Sequence, residues 1–191
     1  MAVHFVADVH VGNHKKCGGP MTGHVNTRCR EVITSLGKAC ESSDGPVFVL
    51  GDLFDKHNPH PAVIKAAGDA LNKCNHDVFV LAGNHDIASV LQWIPRVHCI
   101  TRPTVLSGYD GFEGGTIVAV PFEPGNMVQN VTAALDRLDY PEGSVLAAHF
   151  GISDSNTPKW LLNTEGSVSV DTVRLWIDKY ALGGVFVGDW H

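Results

Sequence analysis

Three stretches of the sequence combine a run of apolar residues with an abrupt polar end. They read VHFVADVH (3–10), PVFVLGDLFD (46–55) and DVFVLAGNHD (77–86). The segments between them, 26–41 and 62–75, have helical spacing and good helix-forming residues. A strand–helix–strand–helix–strand order is typical of βαβ units, so this half of the chain predicts a parallel sheet.

The second half of the chain predicts shorter and more varied elements. A short helix is expected over 87–94, and residues 97–121 contain β-prone pieces separated by glycines, of which GTIVAVP (115–121) is the strongest. The later elements are a helix at 126–138, a strand at 144–150, a loop over 151–170, a helix at 171–180 with Asp171 as its N-cap, and a strand at 184–191. No repeat or linker interrupts this pattern, so we expect one domain.

Composition and charge narrow the class of protein. The 191 residues are 44% hydrophobic and 18% charged, as in soluble globular domains. No apolar run is long enough to cross a bilayer and the N-terminus lacks a signal-peptide pattern, so we expect no membrane partner. The five dispersed cysteines favour reduced thiols and a cytoplasmic location. The net charge of −6 means that any affinity for nucleic acid must come largely from metals or a partner.

Five of the predicted strands end in side chains that can bind metal or carry protons. They are Asp8 and His10, Asp52 and Asp55, the run Asn84, His85 and Asp86, then His149, and finally Asp189 with His191. The carboxyl ends of strands share one edge of an open α/β sheet, so these clusters can converge there. Each cluster alone could be a turn or a buried histidine. All five together predict one site, and its oxygen and imidazole donors suit Mn²⁺, Fe or Zn²⁺.

These motifs resemble those of a known family. The calcineurin-like metallophosphoesterases have patterns similar to Asp8-x-His10, Gly51-Asp52-x-x-Asp55, Gly83-Asn84-His85-Asp86, a lone His149 and Gly188-x-x-His191. The resemblance spans residues 3–191. It implies a four-layer α/β/β/α sandwich of two mixed sheets flanked by helices.

The resemblance also implies a site for two divalent metal ions. The first ion would be held by Asp8, His10, Asp52 and His191, and the second by Asp52, Asn84, His149 and Asp189. A water between the ions would attack phosphorus. His85 would protonate the leaving oxygen as general acid, and Asp86 would orient His85. Mn²⁺ is the expected metal, with Fe, Zn²⁺ and Mg²⁺ as alternatives, and Asp55 and His57 are candidate substrate contacts.

The last motif departs from the family pattern. Gly188-Asp189-Trp190-His191 stands where Gly-His-x-His is usual, so a carboxylate replaces an imidazole. We expect Asp189 to bind metal and to favour Mn²⁺ or Mg²⁺; the alternative is that it points away and the second metal site is weak. Family members usually continue beyond this motif. We therefore expect residues 1–191 to be a metallophosphoesterase catalytic domain that lacks its C-terminal strands.

Within the family, three segments look most like SbcD-type DNA double-strand-break repair exonucleases. They are GDLFDKHNPHP (51–61), VFVLAGNHDIASVL (78–91) and VAVPFEPGN (118–126). This likeness implies Mn²⁺-dependent exonuclease and endonuclease activity on DNA, a homodimer, and an ATPase partner with a long coiled coil. Two other functions stay open: a phosphatase or nucleotide phosphodiesterase acting on a small molecule, and a catalytically weak scaffold.

Overall fold

The computed structural model describes residues 2–86, 88–107, 115–158 and 166–189. Its strands are β1 (His4–Val6), β2 (Met21–Thr22), β3 (Val25–Asn26), β4 (Val47–Val49), β5 (Val78–Leu81), β6 (Val97–Ile100), β7 (Thr104–Leu106), β8 (Ile117–Val120), β9 (Val145–His149), β10 (Ile152–Ser153), β11 (Val168–Ser169) and β12 (Gly184–Gly188). Its helices are α1 (Thr27–Ser42), α2 (Pro61–Leu71), α3 (Ala88–Leu91), α4 (Met127–Leu135) and α5 (Val170–Tyr180). None of these described helices could cross a lipid bilayer.

The first sheet contains β1, β4, β5 and β6 in that order, and its described strands are all parallel. Side chains alternate between its faces. Phe48 and Phe79 lie on one face with ring centroids 4.6 Å apart, whereas Val49 and Val80 lie on the other face, in the core that includes residues of α1 and α2. Because β4 and β5 are buried on both faces, their sequences are continuously apolar rather than alternating.

The second sheet has the order β12, β9, β8, β7, and β7 is antiparallel to β8. Its outer face packs against α4 and α5, with Val131 and Trp176 in the core between them. On its inner face, Ala119 and Ala147 share a core with the phenylalanines of the first sheet. The four-layer sandwich is therefore confirmed. Among the described strands, the second sheet is mixed as expected, whereas the first is parallel because each connection in it is a crossover that returns the chain in parallel.

Two local expectations need correction. The segment 151–170, predicted as a loop, contains β10 and β11, which pair in parallel. The N-cap of α5 is Ser169 rather than Asp171, since the hydroxyl of Ser169 accepts a hydrogen bond from the N–H of Thr172 at 3.1 Å. Asp171 lies in the first turn of α5, where its negative charge interacts favourably with the helix dipole.

Candidate metal centre and active site

The loops that follow β1, β4, β5, β9 and β12 meet at one edge of the sandwich. The carboxylate of Asp52 lies between two imidazoles, with Oδ2 3.6 Å from Nε2 of His10 and Oδ1 3.5 Å from Nε2 of His149. Asp8, His10 and Asp52 each offer a ligand atom within 4.8 Å of the other two. Beyond His149, Oδ1 of Asp189 lies 3.8 Å from Nε2 of that ring. The fold thus brings residues from both ends of the chain together.

The backbone at this centre adopts conformations that residues other than glycine usually avoid. The φ angles of Asp8, His10 and Asp52 are 51°, 46° and 48°, and that of Asp189 is 132°. Each such residue costs on the order of 1 kcal/mol. A bond between loops helps to hold the conformation, since the N–H of His10 donates to the carbonyl of Asp52 at 2.9 Å. A concentration of backbone strain at one place is typical of a functional site.

Glycines allow the loops to approach the predicted metal ligands closely. Gly51 has a φ of +80°, and a Cβ there would lie 2.1 Å from Nδ1 of His149. A Cβ at Gly83 would lie 2.2 Å from Oδ1 of Asp52. Both distances are far shorter than any real contact, so these two motif glycines are required for the geometry of the site.

His149 is fully buried at the end of β9. Its Nδ1 lies 2.7 Å from the carbonyl oxygen of Leu50. A carbonyl can only accept, so Nδ1 carries the hydrogen and the lone pair of Nε2 faces Asp52. A backbone carbonyl that fixes the tautomer in this way is the usual companion of a metal-binding histidine.

The contacts of the Asn84 and Asp8 side chains indicate whether the residues of this site could bind a metal ion. Oδ1 of Asn84 faces Nε2 of His149 at 3.1 Å, acceptor against acceptor, which is the orientation that a cation between them would stabilise. With the amide turned, its nitrogen would instead donate to Oδ2 and Oδ1 of Asp52 at 2.8 Å and 2.9 Å. Oδ1 of Asp8 is buried and has no hydrogen-bond partner among the described residues. A buried carboxylate oxygen needs a partner, so the donor set fits a divalent cation.

Asp189 reaches the same centre from the end of β12. Burial raises the pKa of Asp189, and the negative charges of Asp52 and Asp8 raise it further, whereas a positive charge on His149 would lower it and a hydrogen bond from the backbone of Gly151 does lower it. A cation beside these carboxylates would offset their repulsion. The remaining predicted ligand, His191, lies outside the described residues.

His85 is held on two sides beside the cluster. Its backbone N–H donates to Oδ1 of Asp52 at 2.9 Å. Nδ1 of its ring lies 3.0 Å from the carbonyl oxygen of Asp55, so Nδ1 carries the hydrogen and donates it. The ring stands edge-on to that of His10, with centroids 5.2 Å apart and planes at 84°. This leaves Nε2 of His85 as the ring atom that can exchange a proton with a substrate.

The expectation that Asp86 orients the ring of His85 needs correction. Both carboxylate oxygens of Asp86 accept from the backbone: the N–H groups of Leu53 and Gly83 donate to Oδ2 at 3.2 Å and 3.1 Å. The N–H of Phe54 donates to Oδ1 at 3.0 Å. Burial raises the pKa of Asp86, and the hydrogen bonds from these N–H groups lower it. Asp86 therefore joins the loop after β4 to the loop after β5, and the ring of His85 is oriented by Asp55.

Asp55 and His57 behave differently from each other. Asp55 is turned towards the protein, with its carboxylate 3.5 Å from Nδ1 of His14 and 3.9 Å from Nζ of Lys56. His57 is exposed, and its ring lies nearly parallel to that of His85 with centroids 6.3 Å apart. The contact of Asp55 with His85 could not be predicted from the sequence, because a backbone carbonyl carries no signal in a motif. The nearest signal in the sequence to this contact was the position of Asp55 in the same turn as Asp52.

Comparison with known proteins identifies the family. The family model of calcineurin-like phosphoesterases matches residues 1–191, and the chain belongs to this family. The family is one of metal-dependent hydrolases of phosphate esters, and it uses divalent metals.

Individual proteins are also similar to this chain. It is 37% identical over 87 residues to the DNA double-strand break repair protein Mre11 of Archaeoglobus fulgidus, a match that covers 44% of this chain and 19% of the relative. Among solved structures, a protein of unknown function from Aquifex aeolicus has a TM-score of 0.43 and 13% sequence identity, covering 93% of this chain and 97% of that chain.

Proposed function

We propose that this protein is a nuclease of the DNA-repair type that hydrolyses phosphodiester bonds with two divalent metal ions. The observation that carries the proposal is the position of Asp52, whose two carboxylate oxygens face His10 and His149 at 3.6 Å and 3.5 Å. A carboxylate between two imidazoles from different sheets has the arrangement that two ions sharing one bridging ligand require. The choice of DNA is supported by the likeness to the Mre11 repair protein.

The proposed ligands follow the order of the motifs. The first ion would be held by Asp8, His10, Asp52 and His191, and the second by Asp52, Asn84, His149 and Asp189. The role of His191 rests on its motif alone. Mn²⁺ is the proposed metal because Asp189 adds a hard oxygen donor to the set. When bound, such ions polarise a phosphate and lower the pKa of water.

His85 would act on the leaving group. Because Nδ1–H is committed to the carbonyl of Asp55 at 3.0 Å, a protonated His85 would donate from Nε2 to the departing oxygen. Its backbone bond to Asp52 holds it at a constant distance from the proposed metal ligands. Asp86 would contribute by keeping the loops after β4 and β5 together.

Local positive charge supports a polyanionic substrate. Between residues 9 and 30 the chain has no Asp or Glu but contains Lys15, Lys16, Arg28 and Arg30. Lys15 and Lys16 are exposed and follow His14, which contacts Asp55 beside the site. Phosphates are bound chiefly by such residues. Since the whole chain has a net charge of −6, we also propose a homodimer and an ATPase partner that add DNA affinity.

The proposed location is the cytoplasm, where the five free cysteines would stay reduced.

The experiment that tests the function compares two substrates in Mn²⁺: end-labelled linear DNA and bis(4-nitrophenyl) phosphate. Asp52→Ala is the inactive blank, and Asp69→Ala, which removes an exposed carboxylate on α2, is the matched control. We expect the wild type and Asp69→Ala to degrade DNA and Asp52→Ala to do nothing. Turnover of the small diester alone would favour the second candidate, a small-molecule phosphodiesterase, which the negative net charge suits. Inactivity on both substrates would point to a scaffold.

A further inference from the structure

His14 lies in the segment between β1 and α1 and has no part in the function described so far. Its Nδ1 is 3.5 Å from Oδ1 of Asp55, and both side chains are mostly buried, with 27% and 21% of their surface exposed. The other oxygen of Asp55 faces Lys56 at 3.9 Å, but Lys56 is more than half exposed, so that contact contributes little. His14 is therefore the less exposed of the two basic side chains beside the carboxylate of Asp55.

The backbone of His14 is fixed to the first turn of a long helix. Its carbonyl accepts from Nδ2 of Asn26 at 3.2 Å. Asn26 is buried and is the N-cap of α1, where its Oδ1 accepts from the N–H of Cys29 at 2.9 Å. The N–H of Asn26 in turn donates to Oδ1 of Asn13 at 2.9 Å. These bonds give His14 a defined position although it lies in a loop.

Two glycines allow this loop to pack closely against its neighbours. A Cβ at Gly18 would lie 1.9 Å from Nδ2 of Asn26 and 2.1 Å from the carbonyl oxygen of His14. A Cβ at Gly12 would lie 2.6 Å from Cβ of Asp55. The N–H of Asp55 also donates to the carbonyl of Val11 at 3.3 Å. Asp55 is thus held against the segment that carries His14, and its own carbonyl accepts from Nδ1 of His85.

We propose that His14 is a positioning residue for the proposed proton donor: by pairing with the carboxylate of Asp55, it keeps the carbonyl of Asp55 in place and so keeps Nε2 of His85 directed at the leaving oxygen. This inference rests on the proposed function, because it assigns His14 a part in the same reaction. Small displacements of a catalytic group are costly, with about 100-fold in rate for a shift near 1 Å.

The test uses two substrates that differ in their need for a proton. A thymidine dinucleotide releases an alkoxide, which must be protonated, whereas the 4-nitrophenyl ester of thymidine 5′-phosphate releases a phenolate, which leaves without help. The variants are His14→Ala, His14→Asn and His85→Gln, all loaded with Mn²⁺. Asparagine can put an amide nitrogen where Nδ1 of His14 stands. His4→Ala is the matched control, since His4 pairs with Asp44 at 2.8 Å on the surface at the amino end of β1.

We expect His14→Ala to lower kcat on the dinucleotide about 10- to 100-fold with KM unchanged, and to leave the nitrophenyl ester near the wild-type rate. His85→Gln should show the same selectivity with a larger loss. His14→Asn should recover most of the rate, and His4→Ala should match the wild type. If His14→Ala lowered kcat equally on the dinucleotide and on the nitrophenyl ester, the proposal would be overturned. Loss of Mn²⁺ binding in His14→Ala, measured by calorimetry, would overturn it as well.

A second measurement does not depend on turnover. In ¹⁵N-histidine-labelled protein, the Nδ1-bound proton of His85, assigned with His85→Gln, should be protected from exchange in the wild type and lose this protection in His14→Ala. An unchanged signal would refute the role of His14 whatever the kinetics. If the wild type hydrolysed neither ester while this signal responded as expected, the proposed function would fail and the coupling of His14 to His85 would stand.

Discussion

The first sheet supplies three loops to the site, whereas the second sheet supplies two strand ends. In the first sheet, the loops are joined to one another: Asp86 accepts from the backbone of Leu53 and Phe54, and the N–H of His85 donates to Asp52. These bonds make one framework in which the positions of the predicted metal ligands depend on each other.

In the second sheet, a backbone hydrogen bond from Gly151, after β9, reaches the carboxylate of Asp189, after β12. His149 is oriented by the carbonyl of Leu50, which belongs to the first sheet. Asp189 follows β12 with a φ of 132° and faces His149 at 3.8 Å. The comparison teaches that the packing of one sheet on the other, rather than either sheet alone, determines the geometry of the centre. The following variants test this view, from the largest expected effect to the smallest.

Asp52→Asn should have the largest effect, because this carboxylate faces predicted metal ligands from both sheets. We expect activity on DNA to fall to that of the blank and Mn²⁺ binding to be lost at both positions, since an amide cannot offer two anionic oxygens. Isothermal titration calorimetry and the DNA assay measure both. Retention of one ion at wild-type affinity would mean that the two halves of the site are independent.

His85→Gln should leave the framework intact and remove the proposed proton donor. We expect kcat on DNA to fall about 10²- to 10⁴-fold, with two Mn²⁺ ions still bound. Steady-state kinetics and metal analysis of the same preparation provide the measurement. If the metals were lost instead, His85 would be part of the metal centre and its proposed role would be wrong.

Asp189→Ala should affect only the half of the site that the second sheet supplies. We expect the affinity for one Mn²⁺ ion to fall about 10- to 100-fold while the other ion is unaffected. Asp189→His, which restores the residue usual in the family, should recover Zn²⁺ binding better than Mn²⁺ binding. Asp139→Ala removes an exposed carboxylate elsewhere and is the control for calorimetry. Wild-type binding of both ions in Asp189→Ala would show that Asp189 is not a ligand.

Tyr180→Phe should have the smallest effect, because Tyr180 lies at the end of α5, one of the two outer helices that pack against the second sheet. The hydroxyl of Tyr180 donates to Asp136 at 2.6 Å and, together with Lys179, holds the pKa of Asp136 below its usual value. A depressed pKa contributes stability at neutral pH that is lost as the pH falls through the folded-state value. We expect Tm at pH 7 to fall by about 2 °C or less, and the difference from the wild type to vanish in acid. A difference that grew on acidification would contradict this account.

Much of the fold followed from the apolar pattern. The runs that form β4 and β5 are continuously apolar because both faces of these strands are covered, and Asn26 and Pro61 occupy the start positions of α1 and α2 that their chemistry favours. The choice between Ser169 and Asp171 as N-cap could not be made from sequence, since both are good caps and the exact start of α5 decides between them. The pair of β10 and β11 escaped prediction because two-residue strands have no periodicity.

The candidate site likewise has features that the sequence determines and features that only the tertiary structure determines. The sequence by itself determined which chemical groups are available, because carboxylates, imidazoles and glycines at strand ends follow from the apolar runs that precede them. Tertiary structure alone decided which group serves which purpose. Asp86 is held by backbone N–H groups and Asp55 orients His85 through a carbonyl, contacts that depend on how loops distant in sequence pack together. A hydrogen bond requires its two atoms to meet within about 3 Å, and only the packed chain specifies that meeting.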